Sequence, residues 1–245
     1  MMMISDLLNN THSDWHDILK KALLAMDPVY LKTLFEKTDY LPERARLFVA
    51  FNQPIASVQY ILFGESPYPR AVSANGYAFW DAAVHELWSD TGLSKGVNRA
   101  TSLRNLIKML LYARGDLRLD FSQSAIAALD CKRYHQTLAS LFKGILNQGF
   151  MLLNASLVYE ENKVPYHARH WAIFMQELLA QLFLVNPRIK LLLFGKIAEN
   201  IPRNHAFDHL IAEHPYHLSF IKNRDVVNFF KPMDLLCHDK TKAYR

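Results

Sequence analysis

Cysteine is scarce in this chain. Cys131 and Cys237 are its two cysteines, far apart, and no CxxC or Cys/His cluster accompanies them. That argues against a disulfide framework and against a structural zinc site, and it suits a reducing cytosol. Long apolar runs are also missing: none approaches the ~20 residues that cross a bilayer. The opening MMMISDLLNNTHSDW has no basic region followed by an apolar one, so a cytoplasmic protein without a signal peptide is expected. Low-complexity tracts, repeats of fixed period, and the GxGxxG and GxxxxGK[ST] phosphate loops are absent too, which argues against a generic nucleotide-binding α/β protein.

What is present is a chain of 245 residues, 51% apolar, with a formal charge of +5. This supports one sizeable core, read as a single domain over 1–245 with an N-terminal helical segment over about 1–50. The positive excess fits a polyanionic partner without requiring one. Helical spacing marks 12–38, with Asp14 as a cap and Pro28 as an interruption, and Leu41-Pro42-Glu43-Arg44 as a further helix start. A short helix over Asp81 to Trp88 is expected, then a helix capped by Ser102, one or two turns over Ser122 to Ala128, and helices over Tyr134 to Leu146, Ala168 to Phe183, from Lys196, and over Asp225 to Cys237. Apolar runs give strands at Ser57–Phe63, Phe150–Asn154, Ile189–Phe194 and about His209–Glu213. Strands alternating with helices imply an α/β protein: three α/β/α layers around a central, mostly parallel four-stranded sheet. In such a sheet the carboxyl ends of the strands share one edge, so Glu65, Ser66, Asn154 and His214 are expected to converge.

The stretch YILFGESPYPRAVSANGYAF, Tyr60 to Phe79, organises this reading. A buried strand runs into a loop stiffened by Pro67 and Pro69, carrying Glu65, Ser66 and Tyr68, and an aromatic ring follows at Phe79. That is how open α/β sheets build binding sites; an ordinary strand-to-loop junction has the same local pattern.

Together, GESPYP, GYAF, MLLNASL, LLLFGK and HPYHLS resemble the uracil-DNA glycosylases, whose common pattern runs GQDPYH, GLAF, LLLNTVLTV, LLWG and HPSPLS. Order and spacing agree from about Val58 to Leu236, and Ser102-Leu103-Arg104-Asn105-Leu106 resembles a further segment of the pattern. The resemblance implies a DNA-repair hydrolase, acting as a monomer on uracil-containing or damaged DNA with no cofactor and no metal. Such an enzyme extrudes a base into a fitted pocket. By the match, Asn154 reads the uracil edge, since an amide offers both donor and acceptor. Phe79 stacks on the base, and Tyr68 crowds its C5 position and excludes thymine. His214 hydrogen-bonds the carbonyl on which charge develops. Leu218 fills the gap in the duplex, and Ser102 and Ser219 contact phosphates.

The sequence departs from the pattern where it matters most. Ser66 stands where the family has an aspartate that orients water and stabilises the cationic sugar, and a serine has no such charge. Either Glu65 supplies a carboxylate from the neighbouring position, as in the branch with a Gly-Glu-Ala-Pro-Gly motif, or Ser66 only positions water, as asparagine does in the mismatch-specific branch. Both imply slower catalysis. Pro69 replaces the usual histidine, Trp80 a serine, and Tyr216-His217 the Ser-Pro of HPSPLS. Tyr166 to Trp171 keeps only its tryptophan in register, so His167, Arg169 and His170 are open to a DNA-backbone role or to a plain solvated face. The rivals are a non-catalytic DNA-binding or protein-interaction homologue, and a glycosylase for a different base lesion.

Overall fold

The computed structural model describes residues 7–197, 201 and 207–237. Ile18, Leu19, Ala22 and Leu23 recur at helical spacing and are buried along α1 (His16–Leu24). Asp14 does not cap this helix. It lies in a preceding 3-10 turn and its carboxylate accepts from the Ile55 N–H at 3.2 Å, a tertiary partner instead of a local one. Asp27 caps α2 (Pro28–Glu36), with Pro28 in the first turn where its missing N–H costs nothing. The helix start read at Leu41–Arg44 is instead a bridge from Leu41 to Tyr159 and one 3-10 turn. Then comes β1 (Tyr60–Gly64).

The helix expected over Asp81 to Trp88 is absent: the chain there is irregular, with bridges from Asp81 to Ala74 and from Glu86 to Thr137. A hairpin of β2 (Trp88–Ser89) and β3 (Gly92–Leu93) follows, then α3 (Lys95–Arg99), capped by Ser94. In α4 (Thr101–Arg114) Ser102 is a first-turn residue and not the cap; Ala100 holds that place without a side-chain bond. Ser122 caps α5 (Gln123–Ala127), and Thr137 caps α6 (Leu138–Asn147), which starts later than its apolar pattern because Tyr134 bridges Cys237. The chain continues as β4 (Phe150–Asn154), α7 (Val164–Val185), β5 (Lys190–Phe194), β6 (Asp208–Ala212) and α8 (Arg224–Phe230), which ends well before Cys237. Ile197 is helical, and the rest of the helix expected from Lys196 lies largely outside the described residues.

The four longer strands form one parallel sheet in the order β4-β1-β5-β6, flanked by helices. Ile61 sits beside Met151 on one side and Leu191 on the other. All five β4 residues are buried, so the strand reads as a continuous apolar run and not as an alternation.

The chain gathers into two compact units: one runs to Asp81 and resumes over Gly149–His209, and the other takes Ala82–Gln148 and Leu210 onward. The core of the first unit holds Trp15, Phe48, Phe51, Phe63, Trp171 and Phe174. Trp15 also donates its indole N–H to the Gln53 carbonyl at 2.8 Å, so the ring is buried without an orphaned donor. In the second unit α4 packs on the 3-10 segment Leu218–Lys222 and on α8. There Arg114 pairs with Asp116 at 2.7 Å and also with Asp234, tying the end of α4 to the chain after α8.

Candidate active site

In the first unit, β1 and β4 end side by side, with Gly64 opposite Asn154. The pairing continues past the strand ends: the Ala155 N–H donates to the Gly64 carbonyl at 2.8 Å and the Ser156 N–H to the Glu65 carbonyl at 3.0 Å. Ser156 is itself locked, its hydroxyl donating to the Val158 carbonyl at 2.9 Å. Asn154 is 2% exposed. A Cβ at position 64 would lie 2.4 Å from the Asn154 Oδ1 and 2.8 Å from the Ala78 Cβ, so the amide occupies space that only glycine leaves open. The strand register thus fixes where a donor–acceptor pair stands.

The loop beyond Gly64 folds back on Gly76–Phe79. The Tyr68 hydroxyl donates to the Phe79 carbonyl at 3.2 Å, and burial, with a smaller push from Asp81, raises the phenol well above its ordinary range. Tyr68 is therefore a fixed neutral wall and not an acid. Phe79 has φ +62°, a left-handed conformation that costs a non-glycine residue about 1–3 kcal/mol and needs support from its surroundings. That support is visible: the Ala78 N–H donates to the Leu152 carbonyl at 3.3 Å, Tyr77 stacks on Trp80 with centroids 5.2 Å apart, and Asn52 donates to the Tyr77 hydroxyl at 2.9 Å. Asp81 is buried and pairs with Arg70 at 3.2 Å. Asn52 and Trp80 thus brace Tyr77, two residues before Phe79, from outside the GYAF stretch.

Glu65 and Ser66 open on the α7 side, onto a cavity of about 230 Å³ shared with Arg169. Among the described residues lining it, Glu65 and Arg169 carry the charges; Val164, Ala168 and Met175 give it apolar walls. His167 is not available to a DNA backbone in the way the sequence left open, and His170 has one ring face covered. His167 is 2% exposed and bonded to the Tyr30 hydroxyl at 2.8 Å, and His170 stacks flat on Tyr30 at 4.0 Å.

In the second unit, the His214 to Ser219 segment is shaped by its own backbone. The Tyr216 N–H donates to the His214 Nδ1 at 3.1 Å and the His217 N–H to the His214 carbonyl at 2.9 Å. An Nδ1 that accepts carries no proton, which places the proton of the neutral ring on Nε2 as a donor. Asn105, fully buried on α4, donates its amide to the Pro215 carbonyl at 2.7 Å and to the Tyr216 carbonyl at 3.3 Å. Sequence reasoning assigned Asn105 no role, although a carboxamide between Leu103 and Leu106 on a core-facing helix was a signal. Leu218 is 72% exposed at the start of a short 3-10 segment, and Tyr216 is 64% exposed in the turn before it. Ser219 lies in that 3-10 segment, and Ser102 in the first turn of α4. The expected site residues therefore fall into two sets: Glu65, Ser66, Tyr68, Phe79 and Asn154 in the first unit, and Ser102, His214, Leu218 and Ser219 in the second.

The model of the uracil DNA glycosylase superfamily matches residues 52–241. A uracil-DNA glycosylase of Helicobacter pylori (strain HPAG1) is 29% identical over 222 residues, covering 84% of this chain and 83% of the relative. One from Exiguobacterium sibiricum is 28% identical, covering 85% of each. Among solved structures, a wild-type UNG crystal structure from Nitratifractor salsuginis is 40% identical, covers 96% of both chains and superposes with a TM-score of 0.90. A mimivirus uracil-DNA glycosylase, 18% identical with a TM-score of 0.56, shares the fold. With its motifs in order along the same parallel sheet, this chain belongs to the uracil DNA glycosylase superfamily.

Proposed function

We propose that the protein removes uracil from DNA by hydrolysing the N-glycosidic bond. The observation that carries this reading is the Asn154 amide, seated against Gly64 and backed by Ala78 so closely that a side chain at position 64 does not fit. An amide held this firmly suits the adjacent N–H and C=O of a pyrimidine, since a site built to pair such groups rejects bases that present them differently. Phe79 then stacks on the base, and Tyr68, held by its bond to the Phe79 carbonyl, meets the C5 position. His214, with Nδ1 already accepting, offers Nε2–H to the oxygen that gains charge as the bond breaks. Leu218 serves as the wedge where the base has left, and Ser102 and Ser219 as phosphate contacts.

Water falls to Glu65 and Ser66. Ser66 presents a hydroxyl where aspartate-bearing relatives present a charge, so excision proceeds more slowly here than in those relatives. Cleavage of a uracil-containing oligonucleotide at the abasic product tests the assignment. Wild type is expected to leave an alkali-labile site and Asn154→Ala to lose excision by at least ~100-fold. DNA binding without turnover by the wild type, with affinity unchanged in Asn154→Ala, would instead mark a binding homologue. Excision confined to another modified base would mark a different lesion.

A further inference from the structure

On the other side of the first turns of α7 lies a second cavity, of about 420 Å³, that the proposed chemistry does not use. Lys163, Tyr166 and His167 face it from α7 and the residue before it, while Val164 and Ala168 of the same turns face the Glu65–Ser66 cavity. Residues three and four apart share a helix face, so the two cavities are back to back across one helix, whose diameter is about 10 Å. Lys37 and Lys163 both converge on one oxygen of Glu160, Lys37 at 3.5 Å. The second carboxylate oxygen is held by His167 at 3.3 Å, and His167 in turn by the Tyr30 hydroxyl. One carboxylate thus faces two ammonium groups; Asp39 adds a weaker pull on Lys163 from outside the cavity lining. Burial holds His167 below the ordinary histidine range, so it adds no charge. The start of the 22-residue α7, which has no side-chain cap, adds partial positive charge at the same place. Tyr166 is 40% exposed beside the lysines, an aromatic surface within reach of a group they hold.

We infer that this cavity binds a nucleotide, its phosphate taken by Lys37 and Lys163 and its base laid on Tyr166. Ammonium groups bind phosphate as point charges, and an aromatic ring stacks any base regardless of sequence. The nucleotide comes either free or as part of the DNA strand flanking the excised base; the second source rests on DNA being the substrate.

Calorimetric titration of the full chain with thymidine 5′-monophosphate, thymidine and inorganic phosphate, beside anisotropy with a uracil-free oligonucleotide at several salt concentrations, separates the sources. The Lys37→Gln/Lys163→Gln double variant is expected to weaken the monophosphate at least ~10-fold if the nucleotide is free. Tyr166→Leu then reduces the monophosphate to the affinity of inorganic phosphate. If the nucleotide belongs to the strand, the double variant instead weakens a single-stranded oligonucleotide and lowers its salt slope by about 0.7, the one phosphate that the two lysines hold. An unchanged kcat on saturating uracil substrate, with an unchanged Tm, shows that the variants fold. No loss in either titration overturns the inference. A wild type that fails to excise uracil removes the proposed function and leaves the monophosphate titration readable.

Discussion

Gly64 and Asn154 are paired residues on neighbouring strands, and the Asn154 Oδ1 fills the space a Cβ at position 64 would need, 2.4 Å from where that atom would stand. The glycine of the loop is thus a requirement of the asparagine on the other strand. Gly64→Ala is expected to displace the amide by a fraction of an ångström to an ångström and to lower kcat/KM for uracil excision by roughly 100-fold. The overpacking also costs about 1–3 kcal/mol of stability, read as a fall in Tm. Wild-type kcat/KM in the Gly64→Ala variant would show that the contact does not position the amide.

Ser66→Asp supplies the carboxylate whose absence the proposed function makes rate-limiting. If that missing carboxylate limits the rate, single-turnover excision rises, within the ~10²–10⁴ that a positioned acid/base group contributes. Glu65→Gln in the Ser66 background tests the alternative carboxylate and should lower the rate. An unchanged rate in the Ser66→Asp variant removes Ser66 as the limiting feature.

Tyr68 is neutral, largely buried and pinned to the Phe79 carbonyl. On the proposed assignment Tyr68→Ala opens the C5 side of the pocket, and thymine excision should become measurable while uracil excision falls. Tyr68→Phe keeps the wall and loses one hydrogen bond, about 1 kcal/mol in stability, with thymine still excluded.

Asn105 has no exposure and bonds the carbonyls of Pro215 and Tyr216. Asn105→Ala leaves two carbonyls short of a donor, which costs about 1–3 kcal/mol. Thermal unfolding reads that loss, and a fall in kcat exceeding the effect on DNA affinity reads the loosening of the His214 segment.

His167 titrates in the opposite sense from an acid-stabilised group. Its pKa is lowered by burial, against the pull of Glu160, from the usual 6.5. Below 6.5 the unfolded chain takes a proton that the folded chain resists, so stability is fully present above 6.5 and falls as pH drops below it. His167→Gln should flatten that part of the stability–pH curve measured by chemical denaturation.

Much of this protein was legible from its residues. The apolar runs at Tyr60–Gly64, Phe150–Asn154 and Lys190–Phe194 specify buried strands because a strand covered on both faces has no polar side, and four strands alternating with helices specify a parallel sheet. The order of Glu65, Ser66, Tyr68, Phe79, Asn154, His214, Leu218 and Ser219 along the chain is likewise a property of the sequence. Local pattern failed where a distant partner outcompeted the local one. Asp14 caps Ile55 and not its own helix, Tyr134 bridges Cys237 where helical spacing began, and Asp81 turns to Arg70 and Ala74 instead of opening a helix. The side chains that hold the site, Asn105 on the His214 segment and Asn52 on Tyr77, act across 110 and 25 residues of sequence, and no periodicity carries such pairings. Residue type settled what chemistry is possible. Strand register decided that Gly64 meets Asn154 and that Glu65 faces Arg169's cavity, because a shift of one residue turns every side chain to the other face of the sheet.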